Sequence, residues 1–132
     1  MQGLHLTADL SGCATALPAM HDPQALRALC LQGVAAAGLQ PVGELFHRFP
    51  PPGGVTGVVL LAESHLAVHT WPELGAVTLD VYVCNLQTDN SGRAQALLAA
   101  LEAAFAPGGV EHHRVQRGLA RQVMMRLAQG AA

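Results

Sequence analysis

The chain has 132 residues, enough for one domain that buries roughly two-thirds of the surface its unfolded form would expose. Its net charge is −2, and its seven basic residues are scattered arginines with no lysine, so there is no basic patch to support nucleic-acid binding. No apolar run approaches the roughly 18 residues of a membrane span, and the N-terminus has no signal-peptide layout. Cys13, Cys30 and Cys84 are an odd number, widely spaced and without a CxxC pair, which argues against a disulfide scaffold and a structural zinc site. A reduced, cytoplasmic protein is expected. Apolar residues make up 51% of the chain and charged ones 12%, a lean surface that predicts partial cover by a partner.

In chain order, Leu4–Leu10 alternates and predicts a first strand. Asp22-Pro23 is a helix start, an N-cap with proline at the first helical position. Leu26, Leu29, Cys30, Val34 and Ala37 then share one helical face, and Gly38 marks the helix end. Pro41–Phe49 predicts a strand that runs into Pro50-Pro51-Pro52-Gly53-Gly54, a turn that cannot sit inside a sheet. Val55–Ala62 is apolar at both parities, so a strand covered on both faces is expected. His65–Thr70 follows as a short strand after a break around Ser64.

Ala76–Cys84 is the clearest strand. Val77, Leu79, Val81 and Val83 point one way, and Thr78, Asp80, Tyr82 and Cys84 the other. Asn90/Ser91 cap a second helix whose stripe is Ala94, Leu97, Leu98, Leu101 and Phe105, ended by Pro107-Gly108-Gly109. Val110–Arg117 gives a last strand, and the tail 118–132 is left between a short helix and a frayed end. The order β-α-β-β-β-β-α-β predicts an α+β two-layer sandwich, an antiparallel sheet with two helices on one face. The uncovered face, bearing the Thr78–Cys84 set, is expected to meet a second copy, making a homodimer.

Chemistry concentrates in Glu63-Ser64-His65-Leu66-Ala67-Val68-His69 and the following Thr70-Trp71-Pro72-Glu73. An amine-directed enzyme normally uses a lysine to carry pyridoxal phosphate or to form its own Schiff base. This chain has none. A serine at a strained strand break, however, can attack the carbonyl ahead of it, that of Glu63, by an N→O acyl shift. Removal of the Ser64 α-proton then expels the Glu63 carboxylate by β-elimination, and the dehydroalanine left behind hydrolyses to a pyruvoyl group. That ketone is the electrophile a lysine-free chain lacks. His69, five residues on, is the natural base for the elimination. On spacing alone a Ser-x4-His pair is a weak signal that favours an ordinary strand carrying polar residues.

A metal site from His65, His69, Glu63 and His47 is disfavoured, because on a strand the i, i+4 pair is separated by roughly 13 Å. No metal is expected. His112 and His113 point to opposite faces of a strand, and Cys13 and Cys30 suit small core positions.

The run from Gly57 to Glu73, with Ala62-Glu63-Ser64-His65 and His69-Thr70-Trp71-Pro72-Glu73, resembles the signature of the small prokaryotic S-adenosylmethionine decarboxylases, pyruvoyl-dependent enzymes of polyamine synthesis. The resemblance continues through Phe46-His47-Arg48-Phe49 and Asp80-Val81-Tyr82-Val83-Cys84, and more weakly from Leu4 to Gly118. It implies one domain, 1–132, cleaved between Glu63 and Ser64 into 1–63 and 64–132, with Ser64 becoming the pyruvoyl group and the Schiff-base partner of the substrate amine. It further implies that His69 drives processing, that Thr56 supports it in place of the usual serine, and that Cys84 donates the proton that completes decarboxylation. Phe49, Trp71 and Glu73 match positions near the nucleoside site. The implied product is the aminopropyl donor for spermidine synthesis.

Leu74 and Ala76 stand where aromatic residues are common, Val83-Cys84-Asn85 where Thr-Cys-Gly is common, and the Pro50–Gly54 turn is one residue longer than usual. These changes border the pocket and leave arginine or ornithine as alternative substrates. A non-catalytic dimeric relative is the other alternative, one expected to have lost Ser64, His69 or Cys84.

Overall fold

A computed structural model describes residues 2–119 and 121–130. Six strands, β1 (Gln2–Ser11), β2 (Pro41–Arg48), β3 (Val55–Leu61), β4 (Ser64–Trp71), β5 (Ala76–Cys84) and β6 (Gly109–Gly118), form one sheet in the order β2-β3-β4-β5-β1-β6. Every neighbouring pair is antiparallel. The helices are α1 (Pro23–Ala36), α2 (Ser91–Phe105) and α3 (Arg121–Gly130), so the tail forms a helix rather than fraying. Each expected strand and helix is present to within about two residues, the uncertainty that attaches to element ends.

The core lies between the sheet and α1 and α2. Leu4, Leu6, Ala8 and Leu10 of β1, Val55, Val59 and Leu61 of β3, Leu66 and Val68 of β4, and Val77, Leu79, Val81 and Val83 of β5 meet Leu26, Cys30 and Val34 of α1 and Leu97, Leu101 and Phe105 of α2. The strict alternation of β5 follows because a pleated strand sends successive side chains to opposite faces. Val55–Leu61 departs from the expectation of cover on both faces: Val58 is only half-buried and Leu60 is 50% exposed, on the face opposite the core formed with α1 and α2. The same open face carries Leu45 and Val115, 70% and 48% exposed.

Local signals act largely as their chemistry dictates. Asp22 accepts the Gln24 N–H at 3.0 Å with Pro23 at the first helical position, and Gly38 takes φ +75 just past α1. At α2 the capping differs from expectation. Asn90 occupies the N-cap position, but its side-chain amide donates to the Cys84 carbonyl at 2.9 Å. The carboxylate of Asp89 accepts the Ser91 N–H instead, at 2.9 Å. That backbone hydrogen bond, with the Ser91 hydroxyl beside it, holds the Asp89 carboxyl below its ordinary range.

Candidate active site

The β3–β4 hairpin closes with Leu61 opposite Ser64, leaving Ala62 and Glu63 as a two-residue link. Glu63 has φ +56, the left-handed region in which a side chain costs about 1–2 kcal/mol. Glycine would occupy it without that cost. The turn is pinned from both sides, by the Ala62 N–H donating to the Gln40 carbonyl at 3.1 Å and by the Ser64 hydroxyl donating to the Ala62 carbonyl at 2.7 Å. The break anticipated at Ser64 is thus a tight turn with its strain stored on the residue whose carbonyl the serine would attack.

Cys84 ends β5 at the same end of the strands. Tyr82 pairs with His65, which brings Cys84 level with the Glu63–Ser64 link on the neighbouring strand. Its carbonyl is held by Asn90, whose own N–H donates to the Asn85 side chain at 2.8 Å, and the Asn85 N–H reaches the Gln2 carbonyl at 2.8 Å. These contacts fix the loop after β5 and with it the position of the thiol. Burial pushes the Cys30 thiol up to about 12 and raises that of Cys13, as befits core residues.

Thr56 and His69 face each other across β3 and β4, with Thr56 Oγ1 2.9 Å from His69 Nδ1, hydrogen-bond distance. The His69 ring lies against Trp71, with centroids 5.7 Å apart. Both line a cleft of about 310 Å³ with Phe49, Gly54, Thr70 and Glu73. Phe49, Trp71, Glu73, Thr56 and His69 are therefore brought together. Ser64 is not among them. Five residues along a strand at about 3.3 Å each place His69 some 16 Å from Ser64, far beyond hydrogen-bond reach. One chain holds two candidate half-sites, Glu63, Ser64 and Cys84 at one end of β4 and Thr56, His69 and the cleft at the other.

A further group was hidden from the sequence. On the open face His5 of β1 and His65 of β4 flank Tyr82, and their Nε2 atoms lie 3.2 and 3.3 Å from Asp80 Oδ1. Both are close polar approaches without hydrogen-bond alignment, and Asp80 Oδ1 accepts no hydrogen bond from either ring. Arg117 lies 5.1 Å from the Tyr82 ring centroid and places Nη1 3.4 Å from His5 Nδ1. The three donor atoms of His5, His65 and Asp80 fall within 4.8 Å of one another, close enough for a metal ion. Arg117 argues against that use. A guanidinium can only donate, so it meets the lone pair of His5 Nδ1 and leaves the hydrogen on Nε2, and its charge opposes a cation. The group is a polar network. Only the β4-β5-β1 strand order assembles it, and that order is not a local property of the sequence.

The family model described as S-adenosylmethionine decarboxylase matches residues 4–118. An S-adenosylmethionine decarboxylase proenzyme of Archaeoglobus fulgidus is 39% identical over 116 residues, covering 88% of this chain and 97% of the relative. One of Syntrophomonas wolfei is 36% identical over 125 residues, covering 95% and 94%. The crystal structure of the adenosylmethionine decarboxylase from Aquifex aeolicus matches with a TM-score of 0.79 and 32% identity, over 91% of this chain and 93% of that one.

If Glu63 stores strain, relieving it should stabilise the uncut chain. In a Ser64→Ala background, which keeps the link intact, Glu63→Gly is expected to add about 1 kcal/mol, or roughly 3 °C in Tm by calorimetry. A lowered Tm would show that the turn is not strained.

Proposed function

The chain belongs to the S-adenosylmethionine decarboxylase family, and from that premise we propose that it is a self-processing, pyruvoyl-dependent enzyme that decarboxylates S-adenosylmethionine to the aminopropyl donor of spermidine synthesis. The observation that carries the proposal is the left-handed Glu63 directly ahead of Ser64, inside a family match that spans residues 4–118. The names of the relatives, S-adenosylmethionine decarboxylase proenzymes, and the cleft beside His69 favour S-adenosylmethionine over arginine or ornithine.

Processing is the work of the chain's own groups. Attack of the Ser64 hydroxyl on the Glu63 carbonyl exchanges an amide for an ester and releases the left-handed turn. Abstraction of the Ser64 α-proton then expels the Glu63 carboxylate, and hydrolysis of the dehydroalanine releases ammonia, leaving fragments 1–63 and 64–132. His69 is the base, and Thr56 fixes its ring through Nδ1. The two half-sites lie too far apart to act within one chain, so the second half-site comes from a second copy. A two-fold interface, in which each copy gives the other its Thr56, His69 and cleft, completes two sites at once. The exposed Leu45, Leu60 and Val115 on the open sheet face support this homodimer.

The pyruvoyl group at position 64 supplies a carbonyl electron sink for loss of CO2. Around it, Cys84 holds the proton destined for the former α-carbon of the substrate. Phe49 and Trp71 offer ring faces to the adenosine and the sulfonium, and Glu73 offers an anion to the same cationic substrate. Three unpaired thiols accord with the reducing conditions of the cytoplasm. Among the described residues no helix is long and apolar enough to cross a membrane.

The denatured mass of the purified protein tests the proposal directly. Two fragments meeting at Glu63/Ser64, the C-terminal one lighter by one ammonia than hydrolysis alone gives, are expected; a single uncut mass contradicts it. Cys84→Ala should cleave normally yet turn over at least about tenfold more slowly and lose activity during turnover, since protonation at the wrong atom converts the group to alanine. Full, lasting activity in that variant would remove Cys84 from the mechanism.

A further inference from the structure

We infer that Thr70 is a positioning residue for self-processing, holding the Thr56–His69 pair in register through a buried hydroxyl clamp. The inference rests on the processing roles proposed above for Thr56 and His69. Thr70 is a buried polar side chain, 3% exposed, among the described residues. Its hydroxyl accepts the Val55 N–H at 2.9 Å and donates to the Met20 carbonyl at 2.9 Å. Both capacities of the group are therefore used inside the protein, where an unmade bond leaves a desolvated partner.

The location gives the clamp its meaning. Thr56 opposite His69 is the last backbone pair at that end of the β3–β4 ladder. Val55 immediately precedes Thr56, and Thr70 immediately follows His69. Beyond the last pair the Val55 N–H is received by the Thr70 hydroxyl. The clamp thus joins the two residues that flank the pair and prevents the ladder end from fraying. The neighbouring chain is equally constrained, since a side chain on Gly54 would collide with the Thr70 carbonyl and hydroxyl. The second bond reaches the short 3-10 turn Pro18–Met20 ahead of α1, so the half-site is tied to the helical layer and not only to the sheet.

Hydroxyl and methyl make separable predictions. Thr70→Ser keeps both hydrogen bonds, Thr70→Val keeps the shape and loses them, and Thr70→Cys keeps a small polar atom that bonds weakly. Full-length chains made in a cell-free system are followed by denatured mass for cleavage at Glu63/Ser64, and Ser64→Ala versions labelled with ¹⁵N-histidine report the His69 ring. Thr70→Ser is expected to cleave within about twofold of wild type. Thr70→Val is expected to cleave some 10- to 100-fold more slowly, the loss that a misplacement on the order of 1 Å produces, while remaining folded by circular dichroism. Its His69 ring signals should move from one tautomer toward a mixture.

Folded Thr70→Val that cleaves at the wild-type rate with unchanged His69 signals overturns the inference. So does a Thr70→Ser variant as slow as Thr70→Val, which would assign the effect to methyl packing. Should Thr70→Val fail to fold, Thr70→Cys takes its place, with the same rate criterion. A wild-type chain that never cleaves defeats the processing reading itself, and the His69 signals of the labelled variants still decide whether Thr70 positions the ring.

Discussion

An extended strand cannot fold back on itself, and this constraint organises the functional reading. At about 3.3 Å per residue, the residues from Ser64 to His69 are held apart by the ladder hydrogen bonds on either side of β4. The motif that looks compact in sequence is spread along a rod. Each end of the rod is then furnished by its neighbours, Cys84 and the strained Glu63 at one end, Thr56 and the aromatic cleft at the other. In the roles proposed for them, Ser64 and His69 are nucleophile and base held rigidly apart, and the proposed chemistry therefore calls for a second copy.

The layer arrangement makes that second copy reasonable. Two helices close one face of the sheet and bury a continuous apolar core from Leu4 to Phe105. The other face keeps Leu45, Leu60 and Val115 exposed beside the His5–Asp80–His65 network and Arg117. Charged groups set among apolar ones suit a surface that is covered in a defined orientation, because misaligned partners would leave Asp80 or Arg117 desolvated without a counterpart. The network sits on the row next to Cys84, so the surface that would pair two copies also borders the residue proposed as proton donor.

What could be read from the sequence was governed by locality. The alternation of Val77, Leu79, Val81 and Val83, the Asp22-Pro23 start of α1 and the apolar stripe of α2 are properties of a few consecutive residues, and the structure reproduces them. The Asn90 cap misled because the Asn90 side chain is engaged elsewhere, its amide donating to the Cys84 carbonyl and its Oδ1 accepting from the Arg93 guanidinium, while Asp89, one residue earlier, takes the Ser91 N–H. Val55–Leu61 looked doubly covered because Val58 and Leu60 are apolar, but one strand cannot tell a helix layer from an absent partner. The pairing of β1 between β5 and β6, and hence the meeting of His5, Asp80 and Arg117, depends on residues more than 70 positions apart. The candidate site was legible as a set of residue types, but its division into two half-sites was not.

The division is tested most directly by pairing two defective chains. Ser64→Ala lacks the nucleophile and His69→Ala the base, so neither is expected to cleave when made alone. Co-expressed with distinguishable tags, they should form mixed dimers in which the His69→Ala chain, and that chain only, is cut between Glu63 and Ser64. Its cut fraction should follow the fraction of mixed dimers measured by native mass spectrometry. Mixed dimers that leave both chains intact, or a His69→Ala chain that cleaves as well alone as in the mixture, would contradict a site shared between two copies.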